Sequence, residues 1–268
     1  MYVRQFLGFC FFLCFSALAT GQLFDIQPEG EENDWTLNIS PYGLLAAQAT
    51  DVGDNRLRQS FNDLSSLTNS GFQMIADLRY KRWMFRFDGT WANLGTAQTG
   101  NLLNLDLNID QQILDTRLGY LVVRDLEVTD NQIIQGWELG VNLGAKYWLN
   151  DVSLGYEFVL FGNVLDDGSL LERQEWWDVM IGVSPAFVIS KTVTISAQAS
   201  IGGFGLGNAS KLAYDWTFLN SFKVAKPLAV HVGFRNFYYE RTDGEGSEQV
   251  ETKVNVIGPF LGASLLLF

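Results

Sequence analysis

The sequence predicts an all-β fold, a closed antiparallel transmembrane β-barrel of about 12 strands, with 10–14 as the range. Three observations predict it. Apolar and polar residues alternate along nearly the whole chain, aromatic residues crowd the ends of the alternating segments, and an export-type segment precedes them. The 268 residues carry 30 Asp+Glu against 18 Lys+Arg, a formal net charge of −12. That balance excludes a nucleic-acid partner, which needs clustered cations over phosphates. The 47% hydrophobic content excludes disorder.

The first element is a targeting segment. Arg4 is the only charge before Asp25, an apolar run covers 7–19, and Ala17-Leu18-Ala19 offers small residues for cleavage. This reads as a signal peptide over 1–21, followed by a periplasmic tail over 22–33 and a barrel over 34–268. The run is too short to span a bilayer as a helix. Cys10 and Cys14 both fall inside it, so disulfide and thiol chemistry are excluded from the mature chain.

The strands follow. Trp35, Leu37 and Ile39 alternate with Thr36, Asn38 and Ser40. Phe72, Met74, Ala76, Leu78 and Tyr80 alternate with Gln73, Asp77 and Arg79, and Trp83, Phe85 and Phe87 with Met84, Arg86 and Asp88. The same period runs through Trp137–Tyr147, Val152–Leu160, Trp177–Val183, Val193–Ile201, Leu212–Phe218 and Leu228–Phe234. The final strand carries Val254, Val256, Phe260 and Leu266 on one face and ends at Phe268. A soluble barrel or sandwich shares this period. The small and charged residues on the polar face, the aromatic strand ends and the export segment together favour a membrane barrel with a wet lumen.

Turn signals divide these strands. They lie at 51–55, 62–69, 81–82, 95–101, 124–135, 150–151, 163–174, 190–191, 206–208, 225–227 and 242–249. The short second strand over 56–61 is the weakest. The segment 103–123 changes phase, which implies either a β-bulge or a hairpin near Asp110-Gln111. With both termini periplasmic, the outer loops are expected at 51–55, 81–82, 124–135, 163–175, 206–208 and 242–249. Four of them are acidic, carrying residues such as Asp51, Asp125, Asp130, Asp166, Asp167, Glu245 and Glu248. They either solvate the surface or bind divalent cations.

Several stretches occur in an order that resembles a family of bacterial outer-membrane β-barrel proteins, most without an assigned function. They are Ser40-Pro41-Tyr42, Phe61-Asn62-Asp63-Leu64, Asp88-Gly89-Thr90, Trp177-Asp178-Val179-Met180-Ile181-Gly182, Gly202-Gly203-Phe204-Gly205 and Gly258-Pro259-Phe260-Leu261-Gly262 before Phe268. The chain departs from the family pattern at Ser184-Pro185, where an Arg is usual, and at Asn236, which interrupts an aromatic run. The resemblance implies a Gram-negative outer-membrane location. A terminal aromatic on an amphipathic strand also resembles the signature read by the barrel-assembly machinery, which makes that machinery and outer-membrane lipid the expected partners.

Chemistry is sparse. His231 is the one imidazole, and its parity places it inward near the turn at Pro227, away from the outer loops. No catalytic, cofactor or metal site is expected. The inward charges are more informative. They are Asp77, Asp88, Asp115, Glu138, Glu157, Asp178 and Asp215 against Arg79, Arg86, Arg117, Lys146, Lys211, Arg235 and Lys253. Seven of each sign suit cross-strand pairs that brace the lumen, where a selective channel would show a ring of one sign. In the hairpin closed by Lys81-Arg82, positions summing to 163 face each other. Asp77 is therefore expected opposite Arg86, with Arg79 diagonal to Asp88. The functional expectation is a structural barrel or a passive, narrow, porin-like channel for small solutes. The alternative is a surface binding module whose acidic outer loops engage cations or partners.

Overall fold

A strand with one apolar and one polar face is stable only where each face meets its own solvent. The computed structural model describes residues 35–99, 102–128, 134–160, 163–244 and 249–267. The expected signal segment, the tail over 22–33, Phe268 and the loop acids Asp130, Glu245 and Glu248 lie outside the described residues.

The described chain forms β1 (Trp35–Leu44), β2 (Ala47–Val52), β3 (Asn55–Gln59), α1 (Phe61–Leu67), β4 (Thr68–Tyr80), β5 (Trp83–Thr99), β6 (Leu103–Val128), β7 (Ile134–Leu160), β8 (Asn163–Ser190), β9 (Val193–Gly203), β10 (Leu212–Ala225), β11 (Leu228–Asp243) and β12 (Val250–Leu266). All strand pairs are antiparallel, and the twelve strands form one sheet that closes through β1 and β12. Ten of them make the ring, in the order β1, β4, β5, β6, β7, β8, β9, β10, β11, β12. The other two extend it. β2 carries the line of β1 onward along β12, with Leu44 opposite Phe260 and Ala47 opposite Ile257, and β3 folds back on β2.

Following one row of paired residues round the ring gives the stagger. The row runs Thr36, Arg79, Met84, Gly119, Asn142, Gly182, Ser200, Asp215, Phe237, Val256, Gln48. It returns to its own stave twelve residues on, at 48 against 36. At about 3.3 Å per residue and about 4.8 Å between strands, that stagger tilts the strands by about 40°.

The two ends differ. Asn38 lies opposite Leu266 and Trp35 opposite Tyr80, so Lys81-Arg82 sits at the end that carries both termini. Trp83 opposite Tyr120 puts the connection from β6 to β7 there too. The 81–82 turn and the 124–135 loop are therefore on the termini end, opposite to expectation. The turn near 95–101 belongs to the far end instead. The cause is the weak strand: counted as a full stave, it shifts the sidedness of 81–82, 95–101 and 124–135, and the turn expected at 150–151 shifts the later connections back.

The far end also corrects two turn assignments. β7 runs without a break through Asn150 and Asp151, and β6 runs through Asp110-Gln111. The one irregularity of their ladder is a bulge between Leu121 and Val123. The apolar face changes because the solvent changes. On β7, Val141, Leu143 and Leu149 point outward, while farther on Val152, Leu154 and Tyr156 point inward and Asp151, Ser153 and Glu157 outward. The strand has left the lipid, so its outer face now meets water. β6 does the same, with Leu105, Leu107 and Ile109 inward and Asp106 and Asp110 outward. The 163–174 segment is strand β8, and 61–67 is helix α1. Ser60 caps α1 through a capping box with Asp63, satisfying the orphan N–H groups of its first turn.

Lipid-facing aromatics form two belts. Trp35 lies against Tyr80 at a tilt and Trp83 meets Tyr120 edge-on near the termini end, and Phe72 with Trp91 and Tyr147 with Trp177 form the upper belt. Trp83 and Trp91 are eight positions apart on β5, about 20 Å of tilted strand, close to the apolar height of an outer-membrane barrel. On β12 the lipid face is Ile257, Leu261 and Leu265, while Val254, Val256 and Phe260 are buried inward.

Candidate functional site

The inward face carries two layers of packed side chains. Toward the far end, Trp148, Trp176, Met180 and Tyr239 pack with Ile113, Ala213, Val254 and Val256. Trp148 stacks on Trp176 at 5.8 Å between ring centroids, and Tyr239 meets both. The Arg241 guanidinium lies 4.4 Å from the centre of the Trp176 ring. These rings meet across the bore, joining β7 and β8 to β11.

Below this layer lies the charge network. Asp215 on β10 is its hub, accepting from Lys146 at 2.5 Å and Arg235 at 2.7 Å, with Arg117 at 3.9 Å. Asp115 pairs with Arg117 at 2.5 Å and Lys146 at 3.3 Å. Arg235 also reaches Asp88 at 2.7 Å, and the Tyr42 hydroxyl donates to Asp88 while accepting from Arg235, both at 2.8 Å. Six staves are thus tied across the lumen. Room for the long cations comes from inward glycines. A Cβ at Gly144 would stand 2.8 Å from Arg117 Cγ and 2.1 Å from the Thr116 carbonyl oxygen.

Asp178 is fully buried and held by neutral donors. Trp148 Nε1 donates at 2.8 Å, the Ser210 N–H at 2.7 Å and Ser210 Oγ at 2.8 Å. Trp176 Nε1 in turn donates to Ser210 Oγ at 3.0 Å. Asp178 therefore anchors the 204–211 connection, which includes the left-handed residues Phe204, Gly205 and Gly207, over the aromatic layer.

Nearer the termini end the bore holds a cavity of about 140 Å³, lined by charged and polar groups such as Asn38, Asp77, Arg86 and Gln198 and by apolar ones such as Ile75 and Met84. Asp77 lies opposite Arg86 in register and pairs with it at 2.5 Å, and Arg86 also donates to Gln198. Arg79 goes to Glu138 at 3.1 Å rather than to Asp88, and Arg124 meets the same carboxylate at 3.1 Å.

Eleven of the fourteen expected residues stand in the lumen. Glu157, Lys211 and Lys253 do not. Glu157 lies on the outer face of β7 and accepts from Asn104, and Lys211 and Lys253 pair with Glu251 on the exposed far end. All three belong to strand ends beyond the lipid, where the outer face meets water and is itself polar, so a polar residue there need not face the lumen. Tyr42, Trp148, Trp176, Ser210, Arg124 and Arg241 were missed. Tyr42 shares the parity of Asn38 and could have been found. Arg124 was hidden by the bulge at Leu121/Val123. His231 is buried inward opposite Ser221, with Nδ1 2.7 Å from its hydroxyl. Among the described residues, no three His, Cys, Asp or Glu groups gather to hold a metal ion.

No family model matches the chain, and no curated protein matches it. Solved structures do. It is similar to the outer membrane protease OmpT from Escherichia coli at 8% identity, with 88% of this chain and 99% of that chain covered and a TM-score of 0.53. The Yersinia pestis attachment invasion locus protein Ail shares 11% identity over 88% of this chain and 100% of its own, with a TM-score of 0.33. Neisserial surface protein A shares 11% identity over 87% and 97%, with a TM-score of 0.30. At 8% identity the likeness to OmpT is one of fold alone. Closed antiparallel sheet, lipid-facing apolar band and paired aromatic belts define the class: the chain is an outer-membrane β-barrel protein of the Gram-negative type.

Proposed function

We propose that this protein is a sealed barrel acting as a surface binding module, with its far-end strands as the binding platform. The observation that carries the reading is strand length. β6, β7 and β8 have 26, 27 and 28 residues, where about 9–11 cross a membrane. The surplus projects as an amphipathic sheet in water, with Leu105, Leu107, Ile109, Val152, Leu154 and Tyr156 on its inner face. A barrel that served only to span or to conduct has no use for it. The aromatic layer and the charge network that cross the bore support the sealed reading over the passive channel. A non-catalytic role is supported by the position of His231, near the 226–227 turn and away from the platform.

Planar-bilayer recording tests this. Wild-type protein should be electrically silent, and Trp148→Ala with Trp176→Ala should introduce small conductance steps. Steady unitary currents from the wild type would overturn the sealed reading. For the platform, labelled polylysine should bind the purified protein in low salt, and its absence would sink the binding reading.

A further inference from the structure

We infer that the far half of β8 is an open strand edge that captures a basic, extended polypeptide segment by β-strand addition. The inference rests on the surface-binding reading and names its partner class.

The observation is a ladder that stops. β8 pairs with β7 along its whole length, from Val188 opposite Gly136 to Asn163 opposite Leu160. Its other neighbour, β9, begins only at Met180, opposite Gly202. Among the described residues, 163–174 therefore have a strand on one side alone. Twelve residues of extended chain, about 40 Å, present unpaired N–H and C=O groups outside the lipid. Natural edges are usually blunted with Pro, Lys, a bulge or brevity. This one has neither Pro nor Lys and is long. Its one bulge, near Val164, lies at the tip. Leu165, Leu170 and Leu171 are 66%, 64% and 75% exposed, an apolar surface in water.

Charge selects the occupant. The edge carries Asp166, Asp167 and Glu172 against Arg173 alone, and Arg173 is already paired with Glu175 at 3.0 Å. Two copies of this edge would bring carboxylates together, which destabilises cross-strand neighbours. A foreign segment alternating Lys or Arg with Val, Ile or Leu satisfies the free backbone groups, the leucines and the carboxylates at once.

The test uses the full chain in nanodiscs and a labelled nonapeptide alternating Lys and Val. A Lys/Gly nonapeptide of equal charge is the control. Fluorescence anisotropy should show the Lys/Val peptide binding at least tenfold more tightly than Lys/Gly. Adjacent residues of a strand aim their N–H groups at opposite neighbours. One of Ser169→Pro and Leu170→Pro therefore blocks the free edge while leaving the β7 ladder whole. That variant, shown folded by heat-modifiable mobility, should lose binding tenfold or more. Equal binding by both proline variants, with binding still lost in Asp166→Lys/Asp167→Lys, would remove the edge and keep the platform. No binding of either peptide would remove both. Concentration-dependent dimers abolished by the same proline would overturn the proposal in favour of a second copy.

Discussion

Lys146 stands directly opposite Asp178 in the β7–β8 ladder, yet its ammonium lies 2.5 Å from Asp215 on β10, two strands beyond β8 round the ring. Asp178 turns instead to Trp148 and Ser210. Register places the residues, and the closed bore chooses the partners. Both Lys146 and Asp178 are almost completely buried, at 1% and 0% exposure, so neither charge has water to fall back on.

The first prediction is a pair of double-mutant cycles. Lys146→Ala leaves Asp215 with one close cation fewer and should cost about 3–5 kcal/mol. Coupling measured from unfolding midpoints in lipid vesicles should be large between Lys146 and Asp215 and near zero between Lys146 and Asp178. The reverse ranking would show that the ladder neighbour is the true partner.

A second cycle concerns Asp77 and Arg86, which are a quarter to a third exposed to the cavity. Solvent screens this pair, so the coupling should be about 0.5–1 kcal/mol. Strictly additive losses would refute the register of the β4–β5 hairpin.

Lipid contact separates the tryptophans. Trp177 is 58% exposed on the outer belt, and Trp148 is 1% exposed in the bore. Brominated lipids should quench wild-type fluorescence, Trp177→Phe should reduce the quenchable fraction, and Trp148→Phe, which removes a shielded emitter, should raise it. Strong quenching of Trp148 would place that strand face in lipid.

Backbone approach gives a fourth. Gly144→Ala drives a methyl into the Thr116 carbonyl, and the strands must part. The unfolding midpoint should fall by an amount equivalent to about 1–3 kcal/mol or more. Gly43→Ala, with nothing within 4 Å of its Cβ, should be close to neutral. Equal effects at the two sites would contradict the packing between β6 and β7.

Most strands were legible because alternation is a local signal with a period of two. The hairpin at Lys81-Arg82 was legible for the same reason, since a two-residue turn determines its own register. The turn expected at 150–151 failed for a physical reason. A reversal of the apolar face looks like a broken strand, but here the strand stays whole and the medium around it changes. Sidedness failed through counting, because β1 and β2 share one stave and the strand behind them is a hairpin extension.

By itself the sequence determined an antiparallel membrane barrel, the inward parity of Asp77, Arg86, Asp115, Lys146 and Asp215, and the facing of Asp77 and Arg86. Only the tertiary structure decided that ten staves close the ring, that aromatic rings meet across its bore, and that Lys146 belongs to Asp215. Alternation tells which side a residue faces and nothing about what stands across the lumen. That depends on ring closure and on a stagger of twelve residues, which brings Lys146 of β7 and Asp215 of β10 together across 69 positions of chain.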